Sequence, residues 1–328
     1  MPDAPAAPTR LHRPLVVVSA AMAVVAVACA VGLAVDDRTL VGMPIWNKPF
    51  KFAVSFVAYG LSMAWILSLL PRHRPGARRA GWWSGSALAV AMVVEMLLIA
   101  GQAFRGRQSH FNNATPLDAA VYQTMGGFSL VLWAGTFAVG VLLFRARLAD
   151  RASAWTLRAG VVLSLAGGAV GGLMGMPAPG QQPGVSDLLG AHSVGVPDGG
   201  PGLPLTGWST VGGDLRVPHF VGLHALQVLP LVLLALAALA PRFPRLADPL
   251  VRLRLTVTAC TAYGALLALL IWQALRGRPL TGPDTPTLVA AAVVLLLTAA
   301  GAFASLRTAP GQAEPPRAES ARAFERAL

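Results

Sequence analysis

Charge is scarce in this chain of 328 residues. Only 12% are Asp, Glu, Lys or Arg, and the mean hydropathy is +0.61. A soluble globular domain does not carry so little charge over that length, so a membrane fold is expected. Lysine is nearly absent: Lys48 and Lys51 are the only two among 26 basic residues, the rest being arginine. Glu95 is the only glutamate before the C-terminal tail, and asparagine occurs three times, at Asn47, Asn112 and Asn113. Cysteine occurs twice, at Cys29 and Cys260, both inside apolar runs. That excludes a disulfide framework and a CxxC metal site. No internal repeat is visible, so the inverted-repeat signature of many transporters is missing.

What is present is apolar length. Eight runs can span about 30 Å of hydrocarbon, near 14–35, 50–70, 83–104, 121–144, 155–176, 218–240, 252–275 and 286–305. The expected fold is an all-α integral membrane bundle over 14–305, with flexible tails at 1–13 and 306–328. The net charge of +12 does not mark a nucleic-acid binder. The basic residues punctuate the loops instead of clustering on one domain. With the N-terminus inside, eighteen basic residues fall on the inner side and eight on the outer. This predicts N-in/C-in topology in the cell membrane, the bilayer being the first partner. Arg10 and Arg13 ahead of Ala28-Cys29-Ala30 resemble a signal peptide. The run exceeds a usual signal core, so a retained helix is expected.

Polar residues concentrate on the expected outer side. They include both lysines, Asn47, Asn112, Asn113 and four of the six histidines: His110, His192, His219 and His224. Lys51, Ser55, Tyr59 and Ser62 share one face of the second helix. Lys48 and Lys51 are candidates to hold an anionic group. Glu95 lies about 13 Å below the end of its helix, near mid-membrane, where a charge costs roughly 2.5–3.5 kcal/mol. With Gln102 and Arg105 it is expected to form one polar track. The fifth helix reads GGAVGGLMGM, a small-residue spacing that lets a neighbouring backbone approach. A loop from Pro177 to Val217 is unusually long and dense in turn formers, and is expected to fold as a lid. The stretch GDLRVPHFVGLHALQ then carries Asp214, Arg216, His219, His224 and Gln227 into the sixth helix.

Three functions follow as expectations. The leading one is a metal-assisted enzyme acting on a membrane-soluble or anionic substrate. His110, His192, His219 and His224 would hold a transition metal such as zinc. Glu95, Asp118 or Asp214 would act as base, and Lys48, Lys51, Gln102, Arg105, Asn112, Arg216 and Gln227 would bind substrate. The five-residue separation of His219 and His224 departs from the spacing of three or four that puts two ligands on one helix face. The second is a haem or other ligand-binding membrane protein with axial histidines. The third is a proton-linked transporter using Glu95. The first and last two helices are assigned to scaffold or homo-oligomer contacts.

The motifs WNKPFKF, QAFRGRQSHFNN, GGPGLP and GDLRVPHFVGLHALQ resemble a family of uncharacterised bacterial polytopic membrane proteins. The resemblance covers helices two to six, about 180 residues, and implies topology and no mechanism. Ser109, His110, Asp118, His219 and His224 are the residue types of alkaline-ceramidase-like zinc hydrolases. Those enzymes pair histidines as HxxxH, which this chain does not.

Overall fold

A computed structural model describes residues 11–70, 74–148 and 150–307. Apart from residues 11–13 and 306–307, the two expected tails lie outside the described residues. Seven helices are long and apolar enough to cross a membrane. They are α1 (Arg13–Val35), α2 (Asn47–Ser68), α3 (Pro75–Phe104), α4 (Pro116–Arg145), α5 (Arg151–Met174), α8 (Pro249–Leu275) and α9 (Thr285–Arg307). A further pair, α6 (Arg216–Leu223) and α7 (Ala225–Leu239), passes the same test jointly but bends by 48° at His224. The chain is therefore a multi-pass membrane protein by helix length and composition. Two short antiparallel ribbons sit in its loops: β1 (Thr39–Leu40) with β2 (Met43–Pro44), and β3 (Ser193–Val194) with β4 (Gly213–Asp214).

Proline starts several of these helices. It lies in the first turn of α1, α3, α4 and α8, where its missing N–H has no intrahelical partner to lose. Side chains cap the exposed amides. Thr115 accepts from Asp118 N, Asp150 from Ser153 N and Asp248 from Leu250 N. His12 caps α1 through Nδ1, which accepts from Leu15 N, while Nε2 donates to the Trp82 carbonyl. That pattern requires a neutral ring. The main core joins α1, α2, α3 and α4 through Leu15, Phe56, Met63, Leu88, Met92 and Leu143. By contrast α9 buries only Thr287 and Ser305.

The continuous sixth helix expected at 218–240 is in fact two pieces, and the break has a physical cause. Tyr263 of α8 donates its hydroxyl to the Val221 carbonyl at 2.6 Å. A side chain inserted into the i→i−4 ladder is a recognised source of kinks. One residue on, Gly222 packs directly on Gly167 of α5. A Cβ built on Gly222 would lie 2.4 Å from the Gly167 Cα. The glycine stripe of α5 is thus packing chemistry at Gly167, as expected. At Gly171 it does something else: the His219 ring lies over it, 2.9 Å from where a Cβ would stand.

The loop between α5 and α6 is ordered by named bonds. Asn113 N donates to Asp187 O, Leu189 N to Phe111 O, Ala191 N to Met174 O and Leu215 N to His192 O. It is thereby clamped onto the α3–α4 corner and the end of α5. Gly213 of β4 fits against the last turn of α8, where a Cβ would stand 1.9 Å from the Ala274 carbonyl.

Candidate polar site at the loop-bearing end of the bundle

Lys48 and Lys51 are held at the start of α2 by the β1–β2 ribbon and by Trp46, whose indole donates to Asp36 at 2.8 Å. Lys51 donates to the Thr206 carbonyl at 2.7 Å, and the neighbouring Asn47 to Leu205 O at 2.9 Å. Lys48 has no hydrogen-bond or ion-pair partner among the described residues. Its ammonium is close enough to interact electrostatically with Lys51, Arg216, Glu95 and Asp198, and with His110 and His192.

Two of the four candidate histidines, His110 and His192, lie within electrostatic range of it, and His219 lies within range of those two. His110 comes from the α3–α4 corner, His192 from the long loop and His219 from α6; each lies within electrostatic range of the other two. Each has its Nδ1 engaged. His219 Nδ1 meets the Gly167 carbonyl at 2.7 Å, so it must be the protonated nitrogen. His192 Nδ1 meets Asp198 at 2.8 Å, and His110 Nδ1 meets the Ser109 hydroxyl at 3.1 Å. In His192 and His219 this tautomer leaves the Nε2 lone pair without a hydrogen-bond partner among the described residues. His224 is within electrostatic range of His219 but bonds a different partner. It sits at the α6–α7 break with Nδ1 on Gln227 Oε1 at 3.1 Å. The fourfold convergence expected at a metal is therefore not what the fold builds. Among the described residues no three His, Cys, Asp or Glu side chains stand where they could hold a metal ion.

Phe111 organises the cluster. Its ring lies 4.8 Å from that of His192, 5.8 Å from Tyr122 and 6.1 Å from His110. Its φ of 63° places a bulky residue in the left-handed region, a strained conformation that persists only when surroundings enforce it. The Leu189 N–H on its carbonyl and the three rings supply that enforcement. Nothing in residue type foretold it, since Phe avoids this region.

The carboxylates divide into two kinds. Asp118 is sealed from solvent, with Oδ1 taking Gln102 Nε2 at 2.9 Å and Arg105 at 3.0 Å, and Oδ2 taking the Thr115 hydroxyl at 2.8 Å. Arg105 also donates to the Gln102 side-chain oxygen Oε1. These residues lock the α3–α4 corner and leave Asp118 no unoccupied oxygen for a base. Asp214 is similar: it takes Ser209 N at 2.8 Å, Arg216 N at 2.9 Å and a bidentate fork from the Arg216 guanidinium. Asn112 is used in turn geometry, accepting from Ala114 N and donating to Gln108 O. Glu95 is different. It is 2% exposed; Oε1 accepts from Ser129 of α4 at 2.8 Å, and Oε2 has no partner. The expected track from Glu95 through Gln102 to Arg105 is thus two separate features. Glu95 faces the lysine–histidine cluster electrostatically, while Gln102 and Arg105 belong to the corner.

Outside the helices the titration pattern is uniform. Burial pulls His12, His110 and His192 below the ordinary imidazole range. For His192 that outweighs the nearby carboxylate, so the pair is a neutral imidazole donating to Asp198. Burial would raise Asp198, but hydrogen bonds from the His192 ring and amide and from the Ser193 amide hold it below the usual carboxylate range. The sign follows directly. The unfolded chain binds these histidine protons at higher pH than the native one, so native stability falls as pH drops below about 6.5. Thermal unfolding of detergent-solubilised protein should shift down between pH 7.5 and 5.5. His12→Asn, which keeps a cap acceptor and does not titrate, should flatten part of that slope. A pH-independent midpoint would contradict the assignment.

A cavity of about 290 Å³ lies elsewhere, between the start of α3 and the end of α4, walled by Arg74 and Arg145. It has no connection to the lysine–histidine cluster. Comparison of the chain with models of known protein families, with curated proteins and with solved structures found no match.

Proposed function

We propose that this protein lies in the cell membrane with both termini inside and holds a small anionic ligand in the outer half of the bundle. The orientation rests on the arginine distribution, which puts the α2 start, the α3–α4 corner and the long loop outside. The observation that carries the ligand reading is the unpartnered Lys48 ammonium beside Lys51. An ammonium at the membrane boundary is expensive to leave uncompensated. Arg216 and Asp214 neutralise one another, and Asp198, whose partner His192 is neutral, offsets the charge of only one of the two lysines. An incoming anion supplies the missing charge, and the Nε2 atoms of His192 and His219 accept from its hydroxyl groups. Glu95 Oε2, the one buried carboxylate oxygen without a partner among the described residues, is the base that a reaction on that ligand would use.

Because the chain has only two lysines, one experiment reports on both parts. A membrane-impermeant amine reagent applied to intact cells should modify Lys48 and Lys51, located by peptide mass spectrometry. Modification only after permeabilisation would overturn the orientation. Lys48→Gln should abolish protection from labelling at Lys51 by bound anion.

A second reading has its own support. Nδ1 of His192 on a carboxylate and Nδ1 of His219 on a backbone carbonyl is how metal-ligating histidines are usually oriented. Closure of His110 toward them would complete three ligands of a transition-metal site, with chemistry at the bound anion. Zinc, copper and iron together below about one tenth of an equivalent in purified protein would eliminate it. Transport through Glu95 has no comparable observation behind it.

A further inference from the structure

The lysine-bearing face of α2 continues below the anion site as a polar seam against α7. Gln227 of α7 donates to Ser62 Oγ at 2.9 Å and reaches the Ala58 carbonyl at 3.4 Å. His224 bonds Gln227 in turn. Ser55, between Lys51 and Ser62, is partly exposed and its hydroxyl has no partner among the described residues. From Lys51 to Ser62 the seam runs about 16 Å along the helix. Aromatic rings adjoin it at His224. Phe220, 46% exposed, lies tilted against the His224 ring at 4.2 Å and meets Trp208 edge-on at 5.7 Å. On the α2 side Val54 and Leu61 are 48% and 45% exposed. The 48° break at His224 lies at this level.

Partly accessible polar groups at this depth are costly against hydrocarbon, so a use for them is expected. A water-soluble anion entering from the loops would need only the lysines and histidines. A polar seam with apolar lips is what a tethered head group requires when it passes sideways from the bilayer. We infer that the ligand is an amphiphile of the outer leaflet: an anionic head that passes between α2 and α7 to Lys48 and Lys51, with a hydrocarbon tail left in lipid against Phe220 and Leu61. This rests on the anion-site reading above.

The test uses the full-length protein in an uncharged maltoside detergent. Four probes are compared by thermal shift and equilibrium binding: hexadecyl phosphate, palmitate, hexadecanol and inorganic phosphate. At least one tailed anion should bind ten-fold or more tightly than inorganic phosphate. Lys48→Gln should cost that anion ten-fold or more. Phe220→Ala should weaken the tailed anion about five-fold and leave inorganic phosphate unchanged. If inorganic phosphate binds as tightly as the tailed anions, and Phe220→Ala has no effect, lateral entry is overturned while the anion site survives. If hexadecanol binds as well as the anions, or no anion binds in a Lys48-dependent way, the anion site itself fails and lateral entry with it.

Discussion

Gly167→Val should destabilise the protein by about 3 kcal/mol, the upper end of the usual cost of overpacking. A Cβ at this position meets the backbone of the facing helix, 2.6 Å from the Gly222 Cα and 2.7 Å from the Leu223 nitrogen. Backbone cannot rotate aside as a side chain would, so α5 and α6 must separate. The expected shift of the unfolding midpoint is about 4–5 °C. The same separation pulls His219 off Gly171, so the anion site should be lost with the stability. Gly172→Val is the control: it is on the same helix and nothing lies within 4 Å of its added Cβ. Equal midpoints for the two variants would show that the glycine contact does not set the α5–α6 distance.

The second large effect is expected from Asp214→Ala. Asp214 is 2% exposed and fastens three things at once: the Ser209 amide, the first amide of α6 and the Arg216 fork. Arg216 also reaches the Gly207 carbonyl at 2.6 Å. Breaking a buried ion pair from one side typically costs 3–5 kcal/mol. Here Arg216 retains some water, so about 2–3 kcal/mol is expected. The loss should be local before it is global. Protease sensitivity and amide exchange should rise first over residues 203–216, the loop that carries the Lys51 acceptor Thr206. Asp187→Ala, an exposed aspartate in the same loop, should leave both readouts near wild type. An Asp214→Ala protein with unchanged loop protection would mean that the backbone alone holds this segment.

Much of the scaffold was legible in the chain because hydrocarbon imposes a simple rule on length and polarity. The apolar runs beginning near 14, 50, 155, 252 and 286 became α1, α2, α5, α8 and α9 with small changes at the ends. Two runs were underestimated. The third and fourth helices extend back to Pro75 and Pro116, because first-turn proline and polar residues are tolerated beyond the hydrocarbon. The kink at His224 was not legible, since its cause, Tyr263, lies in another helix 39 residues away.

Among the polar residues the pairing was not legible. Lys48 comes within electrostatic range of Glu95, His110 and His192, which belong to three separate segments. Sequence offers no way to know that Arg105 and Gln102 would spend themselves on Asp118, or Arg216 on Asp214. Nor could it separate His224 from the other histidines, although the five-residue spacing hinted at the difference. Phe111 was missed altogether: only the folded backbone shows it bent into a conformation its side chain resists.

The length of α3 and α4 has one more consequence. Each has 30 residues, about 45 Å of helix against about 30 Å of hydrocarbon. Tilts beyond 40° are rare in membrane helices, so part of each must stand clear of the acyl chains. The surplus of α4 lies at its start, beside the linked corner of Gln102, Arg105 and Asp118, and that of α3 at the opposite end, near Pro75. The two helices therefore carry their extra turns at opposite ends of the bundle, and a change of bilayer thickness would bear on both ends together.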